Sequence, residues 1–275
     1  MFKPALLPRQ ADAHKGMFGD IAVMGGDTGM VGAMLLAARA ALLTGAGRVY
    51  AGALSAQAPS ADVGQPELML RSTKAISELP QLSCIVIGPG LGQSDEAHTL
   101  LELWLGRNIT MLLDADALNL VARYPKLVTL MRDRQAETII TPHVGEASRL
   151  LGTDIPAIRK ERTASALKLA EKLHAICILK GAGTVCAHHD GTWFVNTTGN
   201  PGLASAGTGD VLSGIIGGLI SQGLTALHAA KLGVYVHGAA ADALVARGIG
   251  PVGLTASEVA VEARSIINQL NAMQA

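Results

Sequence analysis

The segment 200–221, NPGLASAGTGDVLSGIIGGLIS, contains a single charged residue, Asp210. It follows a Gly-Thr-Gly turn, in which Gly207 and Gly209 allow the main chain to approach a ligand closely. A helix that begins near Asp210 would direct its unpaired N–H groups and the positive end of its dipole at this turn. Residues Gly207, Thr208 and Gly209 therefore predict an anion hole for a phosphoryl group in transfer, and Asp210 predicts a base for the attacking hydroxyl.

The same residues allow a structural role, in which Asp210 caps a buried helix and contributes about 1 kcal/mol. At a helix N-terminus the carboxylate is expected to be ionised and acidic, so that proton transfer would come late in the reaction. The helix contains three interior glycines, Gly214, Gly217 and Gly218, each of which costs roughly 1 kcal/mol relative to alanine. They predict close packing that holds the helix N-terminus rigidly, which favours the catalytic role.

Short apolar strands alternate with helical patterns along the chain, and these elements position the turn. Strands are predicted at 20–26, 48–54, 83–90, 110–116, 138–142 and 175–181, followed by a hairpin at 184–196 that turns at Asp190-Gly191. Helices are predicted at 30–47, 94–105, 117–131, 144–151, 157–174, 211–222, 224–247 and 256–271. Apolar strands separated by helices are typical of a mostly parallel sheet in a three-layer α/β fold. No linker or repeat interrupts the pattern, so we expect one domain spanning residues 1–275.

Several predicted strands end in glycine-rich or polar turns, namely MGGDTG, IGPGLG, DADALN, TPHVGE and LKGAG. In open parallel sheets, ligands bind beyond the carboxyl ends of the strands. The five turns are therefore expected to line one edge of the sheet and to form a single large cleft there.

Composition excludes several classes of partner. The chain has 22 Lys and Arg against 22 Asp and Glu, and 3% aromatic residues, which gives no reason to expect nucleic acid or an acidic membrane surface. The three cysteines lack metal-binding spacing and are expected to be buried free thiols. The N-terminal segment MFKPALLPRQADAHKG has no apolar signal core, and the longest apolar run, 211–224, is shorter than a membrane span. These features predict a soluble cytoplasmic protein.

Six motifs occur along the chain in the order AHKGMFGDIAVMGG, GPGLG, DADALN, TPHVGEASRLLG, KGAGTV and NPGLASAGTGDVLSGIIGGLISQG. In this order they resemble the ribokinase-like superfamily and, within it, the ADP/ATP-dependent NAD(P)H-hydrate dehydratases. The resemblance covers nearly the whole chain and implies a ribokinase-like α/β/α sandwich. It also implies a carbon–oxygen hydro-lyase that repairs hydrated NADH and NADPH. Such enzymes phosphorylate the C6 hydroxyl of the S-hydrate from ADP (the bacterial type) or ATP and then eliminate phosphate, leaving AMP when ADP is the donor.

The resemblance also implies roles for individual residues. Asp210 matches the catalytic base beside the substrate hydroxyl, and the anion hole is matched by Gly207, Thr208 and Gly209. Contacts to the AMP part of the spent nucleotide are implied for Lys180, Gly181, Ala182, Gly183, Thr184 and Gly209. Contacts to the hydrated dinucleotide are implied for Ala33, Gly92, His143 and Asp210. Without the resemblance, KGAGT is equally an ordinary turn between strands, His143 a helix start, and Ala33 and Gly92 packing positions.

The turn TPHVGE also carries Glu146, where sugar kinases of the superfamily have a magnesium-linked Asn-x-x-Glu motif. The resemblance therefore implies a Mg²⁺ cofactor, with Glu146 holding a metal-bound water. Asp114 and Asp116 form either a polar wall near the magnesium or substrate, or a helix cap at Asp116.

Four further residues are candidates. His14 and Lys15 would lie in a loop near the substrate or at a subunit contact, and His188 and His189 would face solvent beside the hairpin turn. Relatives commonly form tetramers, and the alanine-rich helices offer interface surface, so a homotetramer is expected. Relatives often carry an epimerase domain for which this chain has no room, so action on the S epimer alone is expected. The compact chain favours ADP, but ATP stays open.

Two other functions are compatible with the residues. A kinase of the same fold that acts on a vitamin or sugar alcohol would keep Asp210 and Glu146 and release a stable phosphorylated product; His143 and the HKGMFG opening argue against it. A non-catalytic nucleotide-binding module is the second alternative, and Asp210 beside an intact anion hole argues against that.

Overall fold

Nine strands form one central sheet in the computed structural model, which describes residues 9–272. They are β1 (Asp20–Gly25), β2 (Arg48–Ala53), β3 (Met69–Ser72), β4 (Cys84–Ile87), β5 (Met111–Leu113), β6 (Thr138–Ile140), β7 (Ile176–Leu179), β8 (Val185–Ala187) and β9 (Trp193–Val195). Their order across the sheet is β3-β2-β1-β4-β5-β6-β7-β8-β9. Strands β1 to β7 pair in parallel, and β8 and β9 add an antiparallel hairpin. The segment MFKPALLPRQADAHKG has no predicted signal core, and its first eight residues lie outside the described residues.

Eleven α-helices are present among the described residues. They are α1 (Val31–Thr44), α2 (Thr73–Ser77), α3 (Asp95–Leu105), α4 (Ala115–Arg123), α5 (Pro125–Arg132), α6 (Val144–Leu151), α7 (Ile155–Lys160), α8 (Arg162–Leu173), α9 (Thr208–Ser221), α10 (Ala226–Ala246) and α11 (Ala256–Ala272). Local capping explains several boundaries. Ser94 accepts a hydrogen bond from the N–H of Ala97 at the start of α3, and Gly45 ends α1 in the left-handed conformation that glycine favours.

The helices cover both faces of the sheet. Helices α1, α9, α10 and α11 pack on one face and share a core with Ile21 and Val23 of β1. Helices α3 to α6 and α8 pack on the other face, around Ala22 and Met24 of the same strand. Because alternate residues of β1 enter opposite cores, the strand is apolar from Ile21 onward. The prediction of a three-layer α/β/α fold with a mostly parallel sheet is confirmed.

The glycines of α9 explain how this helix fits between α1 and the sheet. A Cβ on Gly214 would lie 2.0 Å from the carbonyl oxygen of Ala37 in α1, and one on Gly218 would lie 2.8 Å from that of Ala41. On the sheet side, a Cβ on Gly217 would lie 2.5 Å from Cδ1 of Ile21. The predicted close packing of α9 is therefore confirmed, and it fixes the helix N-terminus against two layers.

The structure differs from the sequence prediction in four elements, one of which is α2, a short helix that was not predicted. Strand β3 was not predicted, because it lies at the edge of the sheet and none of its four residues is fully buried. The helix predicted at 117–131 is divided into α4 and α5, since Pro125 cannot continue a helix and disfavours helical geometry at Tyr124. The helix predicted at 157–174 is divided into α7 and α8 at Glu161.

Two predictions from composition can also be compared with the structure. All three cysteines are buried and free, as expected. Within residues 9–272, none of the helices combines the length and the apolar character required for a membrane span.

Candidate active site

The five predicted turns lie at one edge of the sheet, because the strands that precede them run parallel. Main-chain hydrogen bonds join neighbouring turns: the N–H of Gly26 donates to the carbonyl of Pro89 over 3.0 Å, and the N–H of Lys180 donates to that of Pro142 over 2.8 Å. The start of α9 reaches the same edge, where a Cβ on Gly209 would lie 3.3 Å from Nζ of Lys180. The predicted convergence of the turns is confirmed.

The N-terminus of α9 presents both main-chain donors and a carboxylate. Gly207 is the N-cap, with a φ of 85° that suits glycine, and Asp210 is the third residue of the helix. The N–H of Val211 donates to the carbonyl of Gly207, but those of Gly209 and Asp210 have no partner within residues 9–272. The half-buried carboxylate of Asp210 likewise accepts no hydrogen bond from the described residues. The alternative of a capping aspartate is therefore wrong, since Asp210 does not cap α9.

Beneath this turn lies a buried ion pair centred on Asp114, which is 1% exposed. Its carboxylate accepts hydrogen bonds from Nζ of Lys180 and from Oγ of Ser213, each over 2.7 Å. Burial lowers the pKa of Lys180, but the carboxylates of Asp114 and Glu146 outweigh this effect, so that the pKa is raised overall and the ammonium stays charged. Asp114 is also the N-cap of α4, so the cap predicted at Asp116 is wrong.

The protonation of Asp210 differs from the sequence prediction. Burial raises its pKa to about 7, and the carboxylate of Asp114 adds to the increase, as do Asp116 and Glu146, whereas Lys180 opposes it. The expectation of an ionised, acidic carboxylate is therefore wrong, because burial and neighbouring negative charge outweigh the helix N-terminus. A carboxylate with a pKa near neutrality is a stronger base than an ordinary aspartate. Asp210 can accept a proton earlier along the reaction than the sequence suggested.

His143 and Glu146 form a reciprocal cap at the start of α6. Nδ1 of His143 accepts from the N–H groups of Gly145 and Glu146, over 2.9 and 3.2 Å, and Oε2 of Glu146 accepts from the N–H of His143 over 2.8 Å. Burial lowers the pKa of His143, helped by Lys180 and Arg149, so the ring is neutral and its proton is on Nε2. The predicted helix start is thus confirmed. Half of the ring remains exposed, so a contact to substrate stays a prediction.

Burial also raises the pKa of Glu146 to about 7, and the nearby carboxylate of Asp114 contributes. Glu146 is 4% exposed. The site therefore holds two buried carboxyl groups that are only partly ionised at neutral pH, and one buried cation, Lys180, among them.

The loop 180–184 follows β7 at this edge and places its residues in two different environments. Gly181, Ala182 and Gly183 are exposed, so their main chain is open to a ligand. The ammonium of Lys180 is less open to a ligand than this main chain, because it pairs with Asp114 beneath Gly209. The predicted contact of Lys180 to the nucleotide stays a prediction. Oγ1 of Thr184 donates to the carbonyl of Gly181 over 2.9 Å and closes the loop.

Ala33 and Gly92 lie in an adjoining corner of the same edge. Cβ of Ala33 would lie 3.2 Å from a Cβ on Gly90, so the first turn of α1 contacts the GPGLG loop. Gly92 has a φ of 72°, and its N–H donates to Oδ2 of Asp116 over 3.0 Å. A Cβ at Gly92 would lie 2.4 Å from Oδ2 of Asp27. Any side chain at position 92 would displace one of the two carboxylates that flank this corner.

Four other candidate residues lie away from the site. The 3-10 helix Lys15–Phe18, with His14 as its N-cap, precedes β1 and contacts Gly47, at the amino ends of the strands. His14 and Lys15 therefore lie at the edge opposite to the other predicted site residues, and contacts to substrate or to another subunit stay predictions. His189 is exposed as expected, but the side chain of His188 is only 14% exposed, because it stacks on His189 and bonds to Asp190.

A cleft of about 640 Å³ opens at the amino-end edge, opposite to the site. Its lining includes Asp20, Arg48, Trp104 and Arg107 and none of the predicted site residues. Arg48 is paired with Asp20 over 3.0 Å, and Arg107 stacks on Trp104. We place the chemistry at the carboxyl-end edge, because the partly ionised carboxyl groups and the open helix N-terminus occur together there.

Sequence reasoning missed three residues that support the site. Ser213 holds Asp114, and Asp27 flanks Gly92. His237 of α10 lies 2.9 Å from the carbonyl of Thr208, and burial lowers its pKa to about 4, so the neutral ring donates Nε2–H to the first turn of α9. A serine and a histidine within otherwise apolar helical patterns were the available signals for Ser213 and His237.

Comparisons with known proteins identify the family of the chain. The family model described as NAD(P)H-hydrate dehydratase matches residues 21–262. The chain is 41% identical over 265 residues to the ADP-dependent (S)-NAD(P)H-hydrate dehydratase of Neisseria meningitidis, covering 95% of this chain and 89% of the relative. It is 41% identical over 268 residues to the bifunctional NAD(P)H-hydrate repair enzyme of Coxiella burnetii, covering 96% of this chain but 53% of the relative. The chain thus spans about half the length of this bifunctional relative.

A solved structure extends the agreement to the fold. The ADP/ATP-dependent NAD(P)H-hydrate dehydratase of Bacillus subtilis, co-crystallised with ATP and Mg²⁺, superposes with a TM-score of 0.82 at 31% identity, covering 96% of this chain and 95% of that one. The family model, the relatives and the solved structure all match nearly the full length of the chain, including the turns that form the site. The chain therefore belongs to the NAD(P)H-hydrate dehydratase family, with the ribokinase-like α/β/α fold.

Proposed function

We propose that the protein is a hydro-lyase that uses ADP, or alternatively ATP, to dehydrate the S epimers of hydrated NADH and NADPH. The observation that carries the proposal is the carboxylate of Asp210 beside two unpartnered N–H groups at the N-terminus of α9. The names of the relatives support the substrate and the nucleotide. The loop 180–184 would bind the nucleotide, and Ala33, Gly92 and His143 the hydrated dinucleotide.

In the first step, the C6 hydroxyl of the hydrate attacks the terminal phosphorus of the nucleotide. A new oxygen–phosphorus bond forms at the hydroxyl, the bond to the bridging oxygen breaks, and AMP leaves when ADP is the donor. Asp210 accepts the hydroxyl proton, for which a pKa of about 7 is well suited. The N–H groups of Gly209 and Asp210 stabilise the negative charge on the phosphoryl oxygens.

In the second step, phosphate replaces hydroxide as the leaving group at C6. The electron pair of the ring nitrogen expels phosphate, and loss of a proton from C5 restores the double bond of the reduced nicotinamide. The sum is one hydrate and one ADP converted to NAD(P)H, AMP and phosphate. The protein needs to position the reactants and promote the transfer, because the elimination is driven by the substrate itself.

The residues of the site suit a magnesium ion held by way of water and nucleotide phosphates. Within residues 9–272, no group of three or more His, Cys, Asp and Glu side chains is arranged to hold a metal directly. However, Asp114, Asp210 and Glu146 place more negative than positive charge around Lys180, and a hard cation would relieve this excess. Glu146 would hold a metal-bound water, and the ion would neutralise phosphate charge.

Three further properties belong to the same proposal. The described sheet is continuous, which supports one ribokinase-like domain over residues 1–275. We expect a homotetramer, because the alanine-rich helices offer small-residue surfaces for subunit contacts. We also expect a cytoplasmic location, where the three buried thiols would stay reduced.

The decisive experiment follows absorbance at 340 nm while the protein acts on hydrated NADH with ADP or ATP and Mg²⁺. We expect NADH to be recovered from the S epimer, with AMP and phosphate released in equal amounts when ADP is used. Asp210→Asn should abolish recovery while ADP binding, measured by calorimetry, stays near the wild-type value. Recovery at the wild-type rate by Asp210→Asn would refute the base role.

The same assay separates the kinase alternative. If a thiazole or pyridoxal alcohol yields a stable phosphorylated product and the hydrate yields no NADH, the protein is a small-molecule kinase. Binding of ADP without turnover of either substrate class would instead indicate a non-catalytic nucleotide-binding module.

A further inference from the structure

Arg162, the first residue of α8, lies against the loop 180–184 at both of its ends. Its Nη2 donates to the carbonyl of Leu179, just before the loop, over 3.0 Å, and to the carbonyl of Gly183, near its end, over 3.3 Å. One planar guanidinium group therefore spans the loop from beneath and fixes the distance between its ends.

The turn between these two carbonyls is built around the same side chain. A Cβ on Gly181 would lie 2.9 Å from Nη1 of Arg162, and the φ of Gly181, 144°, is one that other residues rarely adopt. The guanidinium thus occupies the space behind the loop, and the opposite side of Gly181, Ala182 and Gly183 remains exposed.

The position of this charge is unfavourable for the protein alone. Burial lowers the pKa of Arg162, no carboxylate within residues 9–272 forms an ion pair with it, and its Nε is buried without a hydrogen-bond partner. As the first residue of α8 it also lies at the positive end of a helix dipole, where a cation is disfavoured. A half-buried cation without a paired carboxylate leaves room for a compensating anion.

We propose that Arg162 is a positioning residue for nucleotide binding, which holds the main chain of loop 180–184 in its binding shape and adds positive charge behind it. The anion that compensates this charge is the phosphate chain of the nucleotide. The inference rests on the proposed function, since it requires the loop to be the nucleotide site. Lysine cannot replace the arginine fully, because its ammonium lacks the planar group that donates to both carbonyls through Nη2 and packs behind Gly181 through Nη1.

The test compares ADP binding by calorimetry, in the presence of Mg²⁺, for the wild type, Arg162→Gln, Arg162→Lys and a control, Lys168→Gln. Lys168 is an exposed residue of the same helix, so the control removes an equal charge without touching the loop. We expect ADP affinity to fall about tenfold or more in Arg162→Gln, less in Arg162→Lys, and not at all in the control. The KM for the nucleotide should rise in parallel, while the KM for the hydrated dinucleotide and the acid limb of the pH–rate profile stay unchanged.

Thermal unfolding of each variant identifies a loss caused by misfolding; if Arg162→Gln does not fold, Arg162→Lys carries the comparison. Wild-type affinity for ADP in the Arg162 variants, or an equal loss in Lys168→Gln, would overturn the inference and leave the proposed function intact. Failure of the wild type to bind either ADP or ATP would overturn the proposed function and the inference together.

Discussion

Asp114 and Lys180 form a buried ion pair, 2.7 Å between Oδ1 and Nζ, directly beneath Gly209 of the proposed anion hole. The pair joins the ends of β5 and β7 and is completed by Ser213 from α9. It therefore sets both the position of the turn and the electrostatic field at Asp210. The first two predictions change the two halves of this pair and have opposite signs.

Replacing Asp114 by asparagine removes a negative charge near Asp210 and leaves Lys180 without its counter-charge. Both changes lower the pKa of Asp210 from its value of about 7. The acid limb of the kcat/KM profile should therefore move to lower pH in Asp114→Asn. Loss of one partner of a buried pair should also lower the free energy of unfolding by about 3 kcal/mol.

The matched control is Ser213→Ala, which removes a hydrogen bond to the same carboxylate without changing its charge. It should be destabilised by about 1 kcal/mol and keep the acid limb close to its wild-type position. An equal shift of the limb in both variants would show that packing, and not the charge of Asp114, sets the basicity of Asp210.

Replacing Lys180 by methionine removes the cation that opposes the raised pKa of Asp210 and Glu146. The acid limb should then move to higher pH, opposite to the effect of Asp114→Asn. Profiles of kcat/KM between about pH 5 and pH 9 cover the range in which the carboxyl groups of Asp210 and Glu146 titrate. If the acid limb moves in the same direction in Asp114→Asn and in Lys180→Met, the opposite effects assigned to these two charges on the pKa of Asp210 would be contradicted.

The difference in stability between Asp210→Asn and the wild type should depend on pH. The pKa of Asp210 is raised from 3.8 to about 7 in the native state, so the native state binds more protons between these values and its stability falls as pH rises through about 7. Asparagine does not ionise, so the variant should be more stable than wild type at about pH 8, by about 2 kcal/mol. At about pH 4 the difference should nearly vanish. Urea unfolding at both pH values measures it, and a variant less stable than wild type at both would contradict the raised pKa.

Gly214→Ala tests whether α9 is fixed by close contact with α1. Its Cβ would lie 2.0 Å from the carbonyl oxygen of Ala37, a main-chain atom that cannot turn away. We expect a loss of about 3 kcal/mol or more in the free energy of unfolding, because the two helices must separate.

Gly32→Ala is its control, also inside a helix, where no heavy atom lies within 4 Å of the new Cβ. This variant should gain about 0.5–1 kcal/mol from helix propensity. Equal thermal unfolding midpoints for the two glycine variants would show that α1 and α9 do not pack as closely as the structure indicates.

Much of the fold was predictable because the signals were local. Strand β1 is apolar from Ile21 onward and ends in glycines, and Gly45 ends α1, so both were recognised close to their observed bounds. Strand β3 has no fully buried residue and was missed. The division between α4 and α5 was overlooked although Pro125 marks it, because the apolar spacing continues across the break.

The amino-acid sequence by itself determined which residues follow the carboxyl ends of the strands, because strand positions arise from local apolar patterns and parallel strands end at one edge of a sheet. It also determined the Gly-Thr-Gly-Asp turn and its glycine-rich helix. Only the tertiary structure decided the charge state of the site. Lys180 and Asp114 are 66 residues apart and Ser213 and Asp114 are 99 apart, so their contact and their burial exist only in the folded chain. A pKa depends on desolvation and on distances to other charges, and for Asp210 both are properties of the assembled layers.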